Sequence, residues 1–167
     1  MAKLNAPTTR LGDNLYDFYF SCIHPFLQYR SLLSPEAFYK AYVEPALNPA
    51  YLARKFERVA YEFLLRQNRA GLLLPPLTGL GRYVYHDRAS KTNGEFDLVG
   101  QDERGYTFYE CKYSGHPLGR DVVREETGQL AACHLPYYRL GFFSRKGFDS
   151  DVSKETYVCY SLEDLYA

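Results

Sequence analysis

The sequence predicts an α/β protein in which three helices precede a sheet built as β-β-β-α-β-β, closed by a short helix. Three observations predict it. Apolar residues recur at helical spacing through the first third of the chain. After Gly81 the pattern changes to short segments of period two or of continuous apolar character. One helical stretch, roughly residues 119–134, then separates the third of these segments from the fourth.

Leu15, Phe18, Tyr19, Cys22 and Ile23 fall on one helical face, which predicts a first helix from about Asn14 to His24, with a break at Pro25. Ser34-Pro35-Glu36 has the form of a helix start, Ser as N-cap and Pro at the first helical position, leading into Ala37 to Leu47. Asn48-Pro49 opens a third helix, carried by Leu52, Phe56, Val59, Ala60, Phe63 and Leu64 to about Gln67, and Gly71 with Pro75-Pro76 ends it. Strands are expected at Tyr83 to His86, Glu95 to Val99, Tyr106 to Tyr113, Tyr138 to Phe143 and Thr156 to Tyr160, with turns at Thr92-Asn93-Gly94 and Asp102 to Gly105. The chain then divides into an N-terminal helical segment, residues 1–48, packed on a sheet-bearing domain, residues 49–167. No internal repeat or low-complexity segment is visible.

Composition narrows the classes. A chain of 167 residues is about one domain and buries roughly 70% of its unfolded surface. Hydrophobic residues make up 46% and the formal net charge is zero, which excludes a disordered chain. The apolar runs fall far short of the ~20 residues that span a bilayer, and no apolar stretch follows the N-terminal Lys3, so a cytoplasmic protein without a signal peptide is expected. Cys22, Cys111, Cys133 and Cys159 contain no CxxC, which argues against a zinc knuckle or redox pair and for buried thiols in a reducing compartment. The balance of 20 Lys+Arg against 20 Asp+Glu argues against an autonomous, high-affinity DNA binder, because phosphate neutralisation needs a basic surplus. The 17 Tyr with no Trp fit core positions with a polar tip; base stacking by exposed ones has no supporting spacing.

Chemistry concentrates in Gly94-Glu95-Phe96-Asp97-Leu98-Val99 and Tyr106-Thr107-Phe108-Tyr109-Glu110-Cys111-Lys112-Tyr113. With the turn centred on Asp102-Glu103-Arg104-Gly105 and no bulge, residues whose numbers sum to about 207 lie opposite each other in the antiparallel register. Asp97 then faces Glu110, Glu95 faces Lys112, and period two puts Glu95 and Asp97 on one face. Like charges directly opposite are destabilising, so two converging carboxylates in an apolar hairpin call for a divalent cation. Oxygen ligands suit Mg²⁺ or Mn²⁺, and Lys112 would orient an attacking water or neutralise charge on a phosphate. Charge pattern alone equally describes a surface ion-pair ladder. The flanking Phe96, Leu98, Val99, Phe108, Tyr109 and Cys111 imply instead a central, buried hairpin, where charges are paired or metal-bound.

An acidic residue on one strand, Glu-x-Lys on the next, and a preceding helix with another Glu resemble the PD-(D/E)xK nuclease superfamily. The matching residues are Glu57 in Phe56-Glu57, Asp97 in Glu-Phe-Asp-Leu-Val, and Glu110-Cys111-Lys112. The next helix offers Glu125, Glu126 and Gln129, and a Gln there often accompanies the motif. Asp17-Phe18-Tyr19-Phe20, His24-Pro25, Phe56-Glu57, Gly81-Arg82-Tyr83 and Glu110-Cys111-Lys112-Tyr113 further resemble the C-terminal domain of unknown function of archaeal-type P-loop ATPases, over about residues 12–145. The resemblance implies a restriction-endonuclease-like core, a mixed central sheet flanked by helices, after the N-terminal helical segment. It implies a metal-dependent nuclease acting on DNA: Asp97, Glu110 and the carbonyl of Cys111 hold Mg²⁺ or Mn²⁺, Lys112 positions the water, Glu57 completes or tunes the metal site, and Gln129 supports Lys112 or a phosphate. No GxxxxGK[ST] is present, so an ATPase would be a partner in cis or in trans. The alternative is a non-catalytic nuclease-fold module that binds DNA or that ATPase partner.

Arg54, Lys55, Arg58, Arg66 and Arg69, with Arg82, Arg88 and Lys91, form either a phosphate rim or a solvated face. His116 is a phosphate contact, a proton carrier or an ordinary loop histidine. Cys111 points away from its neighbours Glu110 and Lys112 and belongs to the core.

Overall fold

The computed structural model describes residues 13–87, 92–131, 133 and 135–167. These fall into two units, one ending at Lys55 and the other beginning at Phe56, so the boundary lies inside a helix.

In the first unit, Asp13 caps α1 (Asn14–Phe18), its Oδ1 accepting from Leu15 N at 2.8 Å and Tyr16 N at 3.2 Å. The helix does not continue regularly to His24 as predicted. It widens into a π turn over Tyr19–Ile23 and tightens into a 3₁₀ turn at His24–Phe26, where Pro25 supplies no N–H, before α2 (Leu27–Arg30). Ser34 caps α3 (Pro35–Phe38) as predicted, with Oγ accepting from Ala37 N at 3.2 Å. A second π turn, Tyr39–Val43, leads to α4 (Glu44–Ala46). Asn48 then caps α5 (Pro49–Arg69), its Oδ1 accepting from Tyr51 N at 2.9 Å. Cys22, Phe38, Val43 and Tyr51 form this unit's core.

The second unit is a five-stranded mixed sheet in chain order: β1 (Gly79–Asp87), β2 (Thr92–Asp102), β3 (Gly105–Lys112), β4 (Tyr137–Ser144) and β5 (Val158–Ser161). The first three strands form an antiparallel meander, and β3, β4 and β5 run parallel. Parallel neighbours need a crossover, which α6 (Arg120–Ala131) supplies between β3 and β4. The sheet is apolar on both faces. Phe56, Ala60, Phe63 and Leu64 of α5 pack with Leu98, Tyr109, Cys111 and Phe143. On the other face, Val123 and Leu130 of α6 pack with Val99, Phe108, Leu140 and Phe142. The expected architecture, a central mixed sheet flanked by helices after an N-terminal helical stretch, is therefore present.

Two details depart from expectation. The fifth strand begins at Val158 and not at Thr156, because Thr156 and Tyr157 donate their N–H groups back to Ser153 O in a turn. The closing helix is a single 3₁₀ turn, Asp164–Tyr166. The four cysteines are unpaired, as expected, with three buried and Cys159 half-buried. Among the described residues no helix is long and apolar enough to cross a membrane.

Candidate functional site

The β2–β3 ladder runs from Asp102↔Gly105 to Leu98↔Tyr109, so partner numbers sum to 207 as predicted. The predicted hairpin core is buried throughout: Phe96, Leu98, Val99, Phe108, Tyr109 and Cys111. The assumption of no bulge fails on the other side of β2. Gly81 pairs with Val99 and Tyr83 with Phe96, so Asp97 and Leu98 together oppose Arg82 alone. Such a bulge adds a residue, bends the strand and re-aims a side chain. Its effect on parity is visible in the core, where Phe96 and Val99, three apart, share the α6 face while Leu98 packs on the α5 face.

Beyond Leu98↔Tyr109 a side chain replaces the next rung. Asp97 Oδ2 accepts the N–H of Cys111 at 3.0 Å. In a strand the N–H and C=O of one residue leave on the same side, so the Cys111 carbonyl faces the same opening as Asp97. Its thiol is buried in the α5-side core, as predicted.

Glu110 and Lys112, two apart on β3, share the opposite face. Lys112 Nζ donates to Glu110 Oε1 at 2.7 Å and to Glu126 Oε1 at 3.3 Å. Glu126 is 3% exposed, and its second oxygen, Oε2, is buried without a hydrogen-bond partner. Ser144, paired with Lys112 across β3–β4, is fully buried and its hydroxyl likewise lacks a partner.

Several expected roles are reassigned. Glu95 does not face Lys112, because the bulge separates it from Asp97; it pairs with Arg82 Nη1 at 2.8 Å. Arg82 Nη2 also binds Glu57 Oε2 at 2.7 Å, so Glu57 reaches the cluster through a guanidinium. Gln129 does not touch Lys112: its Nε2 donates to the Glu95 carbonyl at 2.9 Å, and Glu126 takes the lysine. Glu126 was legible in principle, since Val123, Glu126 and Leu130 fall at i, i+3 and i+7 on the buried stripe of α6. The expected basic rim is largely consumed internally. Lys55 pairs with Asp17 at 2.6 Å and Arg58 with Glu62 at 2.6 Å, while Arg66 donates to Leu165 O at 2.9 Å. Arg88 and Lys91 lie outside the described residues. His116 sits in an exposed loop whose turn is closed by Ser114.

Five carboxylates, Glu57, Glu95, Asp97, Glu110 and Glu126, thus meet two cations, Arg82 and Lys112, a formal excess of three negative charges. The consequence is visible in proton affinity. Burial, reinforced by the neighbouring Asp97, raises Glu110 to about 8. Burial raises Asp97 as well, against the opposing Cys111 N–H bond and Lys112. Burial raises Glu57 and Glu126, each partly offset by its own cation, Arg82 and Lys112 respectively. Burial alone would lower Lys112, but its bond to Glu110 and the charge of Glu126 raise it, so it stays charged. Carboxylates that resist ionisation in this way are groups that an added cation would stabilise as anions.

Among the described residues no group of three or more His, Cys, Asp and Glu side chains is arranged to hold a metal ion. What the strands present is two carboxylates and a carbonyl. That set fits Mg²⁺, which accepts one or two carboxylates and keeps several waters, better than it fits an ion needing an all-protein cage.

A family model for archaeal and bacterial proteins of unknown function, DUF234, matches residues 19–126. The chain belongs to the DUF234 family. The matched span contains Glu57, Arg82, Asp97, Glu110, Lys112 and Glu126, so the whole carboxylate–lysine cluster lies within the DUF234 region. No curated protein and no solved structure matches the chain. In general shape the DUF234 sheet and its two flanking helices are compatible with nuclease-like α/β superfamilies.

Proposed function

We propose that this DUF234 domain has a PD-(D/E)xK-type nuclease site and hydrolyses phosphodiester bonds in DNA with the help of Mg²⁺ or Mn²⁺. The observation that carries the reading is the opening of the β2–β3 ladder at Asp97. There two carboxylates, the Cys111 carbonyl and an ammonium group meet at the end of the central hairpin. Asp97, Glu110 and the carbonyl of Cys111 are the residues that would hold the cation. When bound, the cation supplies Lewis acidity toward a phosphate oxygen and toward water.

The chain's own residues do the rest. Lys112 holds an attacking water in line with the phosphorus and offsets charge developing on the phosphate. Glu57 and Glu95, clamped by Arg82, fix β1 against the bulge and so hold Asp97 in place. Gln129 supports the strand at Glu95. Phosphate contacts are available at the carboxyl ends of β3 and β4. Arg145 there donates its N–H to the Lys112 carbonyl at 3.1 Å and lies 4.6 Å from the Tyr113 ring, with the exposed Lys146 beside it. The test is cleavage of DNA in Mg²⁺ or Mn²⁺. Lys112→Ala should lower the rate by roughly 10²-fold or more. Because it also leaves Glu110 and Glu126 without their cation, folding is checked by circular dichroism at the assay temperature, and undiminished cleavage would defeat the mechanism.

A second reading is a non-catalytic nuclease-fold module that binds DNA or a P-loop ATPase, in cis or in trans. One observation favours it: Leu15, Tyr16, Phe20 and Leu32 of the first unit expose large apolar side chains, as interaction surfaces do. Wild-type protein that neither binds Mn²⁺ nor cuts DNA supports this second reading.

A further inference from the structure

Three features of the second unit stand outside the proposed cation ligands: Glu126, its unpartnered oxygen, and the unequal hold on Lys112. Nζ sits 2.7 Å from Glu110 Oε1 but 3.3 Å from Glu126 Oε1. The longer contact belongs to the more buried carboxylate, at 4% side-chain exposure against 13% for Glu110. Glu126 Oε2 has no hydrogen-bond partner. A buried carboxylate oxygen left unsatisfied carries its full desolvation cost and calls for an explanation. The Ser144 hydroxyl is also buried and unpartnered, one strand over from Lys112 and in register with it. An ammonium has three donors, and in this arrangement its carboxylate contacts use one oxygen of each partner.

We infer that Lys112 is a two-position lysine and that Glu126 is the positioning residue defining its second position. This rests on the proposed cation site at Asp97 and Glu110. Without a cation, Lys112 donates to Glu110 as its nearer partner. When Glu110 becomes a cation ligand it can no longer serve as the principal acceptor for Lys112. Nζ then moves onto Glu126, gaining the unpartnered Oε2 and the Ser144 hydroxyl. The move keeps Lys112 charged and paired, releases Glu110, and turns the ammonium toward the carboxyl end of β3, where the attacking water would stand. Glu126 touches neither substrate nor reacting atoms in this scheme. It acts through the lysine, and the coupling is reciprocal: what favours the second position favours cation binding.

The test is a double-mutant cycle on Mn²⁺ affinity, measured by calorimetry on wild type, Glu126→Gln, Lys112→Ala and the double variant. Glu126→Gln should weaken Mn²⁺ binding by about tenfold when Lys112 is present. In the Lys112→Ala background, where no lysine needs a second position, the same change should cost no more than about twofold. Equal losses in the two backgrounds, or none in either, overturn the inference while leaving the cation site standing; wild type that binds no Mn²⁺ overturns both. A measurement free of variants accompanies the cycle, a pair of crystal structures in chelator and in Mn²⁺. The expected Mn²⁺ form has Lys112 Nζ at about 2.8 Å from Glu126 and withdrawn from Glu110. An unmoved lysine beside a bound Mn²⁺ contradicts the inference even if Glu126→Gln fails to fold.

Discussion

Asp97 Oδ2 accepts the main-chain N–H of Cys111 at 3.0 Å, so a carboxylate side chain occupies the place of a backbone rung between β2 and β3. This one bond stops the ladder and holds a carboxyl group between the strands, close enough to Glu110 to raise its proton affinity. Stability and chemistry are therefore separable at Asp97 by choice of substitution.

Asp97→Ala removes the acceptor and leaves a buried strand N–H unpaired, which should destabilise the domain by about 1–3 kcal/mol. Asp97→Asn retains a carbonyl oxygen for Cys111 and should cost less than about 1 kcal/mol. It should nonetheless lose any stabilisation by Mn²⁺. Chemical denaturation of both variants with and without Mn²⁺ checks the split, and a full Mn²⁺ response in Asp97→Asn would show that the carboxylate is only a structural cap.

Gly141 lies under the Tyr109 ring, where an added Cβ would sit 2.5 Å from Tyr109 Cδ1 and 3.1 Å from the Val158 carbonyl. Both neighbours are strand partners of Gly141, and the Tyr109 ring is buried with little room to move. Gly141→Ala should therefore destabilise by about 1–3 kcal/mol through overpacking. Gly115, with nothing within 4 Å of its position, is the control, and Gly115→Ala should leave the melting temperature within a degree or two. Equal effects of the two changes would place Tyr109 elsewhere.

The pH dependence of stability follows from Glu110, whose carboxyl is raised from 4.5 to about 8 in the fold by burial and by Asp97. Between those two values the native state holds a proton that the unfolded chain has released, so the unfolding free energy falls as pH rises. The contribution is whole below about pH 4.5 and gone above about pH 8. Denaturation in chelator across this window should show the decline, and Glu110→Gln, which cannot ionise, should make it shallower, leaving the part contributed by Asp97, Glu57 and Glu126. A Glu110→Gln variant with the wild-type slope would assign the pH dependence to other groups.

Much of the fold is legible in the sequence because its signals are local. Ser34 and Asn48 cap helices where their spacing predicts, and Asp102-Glu103-Arg104-Gly105 sets a hairpin register that holds over every paired rung from Leu98 to Asp102. What the pattern does not disclose depends on partners distant in the chain. The bulge at Asp97–Leu98 exists only relative to Arg82, and strict alternation consequently assigns Glu95 to the wrong neighbour. The π turn at Tyr19–Ile23 preserves an apolar spacing that regular α-helix fits equally well. At the site, Asp97, Glu110 and Lys112 are nominated by type and spacing. Preferring Gln129 to Glu126 overlooks that a charged residue on the buried stripe of α6 must have a partner, and Lys112 is that partner. Arg82 reads as a surface cation until its two carboxylates, Glu57 and Glu95, are seen on separate elements.

The central claim is that the opening at Asp97 holds a divalent cation, and anomalous diffraction from crystals soaked in Mn²⁺ tests it most directly. The account predicts one anomalous peak per chain, about 2–2.5 Å from carboxylate oxygens of Asp97 and Glu110 and from the Cys111 carbonyl. An empty opening at saturating Mn²⁺, with Asp97 still bonded to the Cys111 N–H and Glu110 still bonded to Lys112, would contradict it.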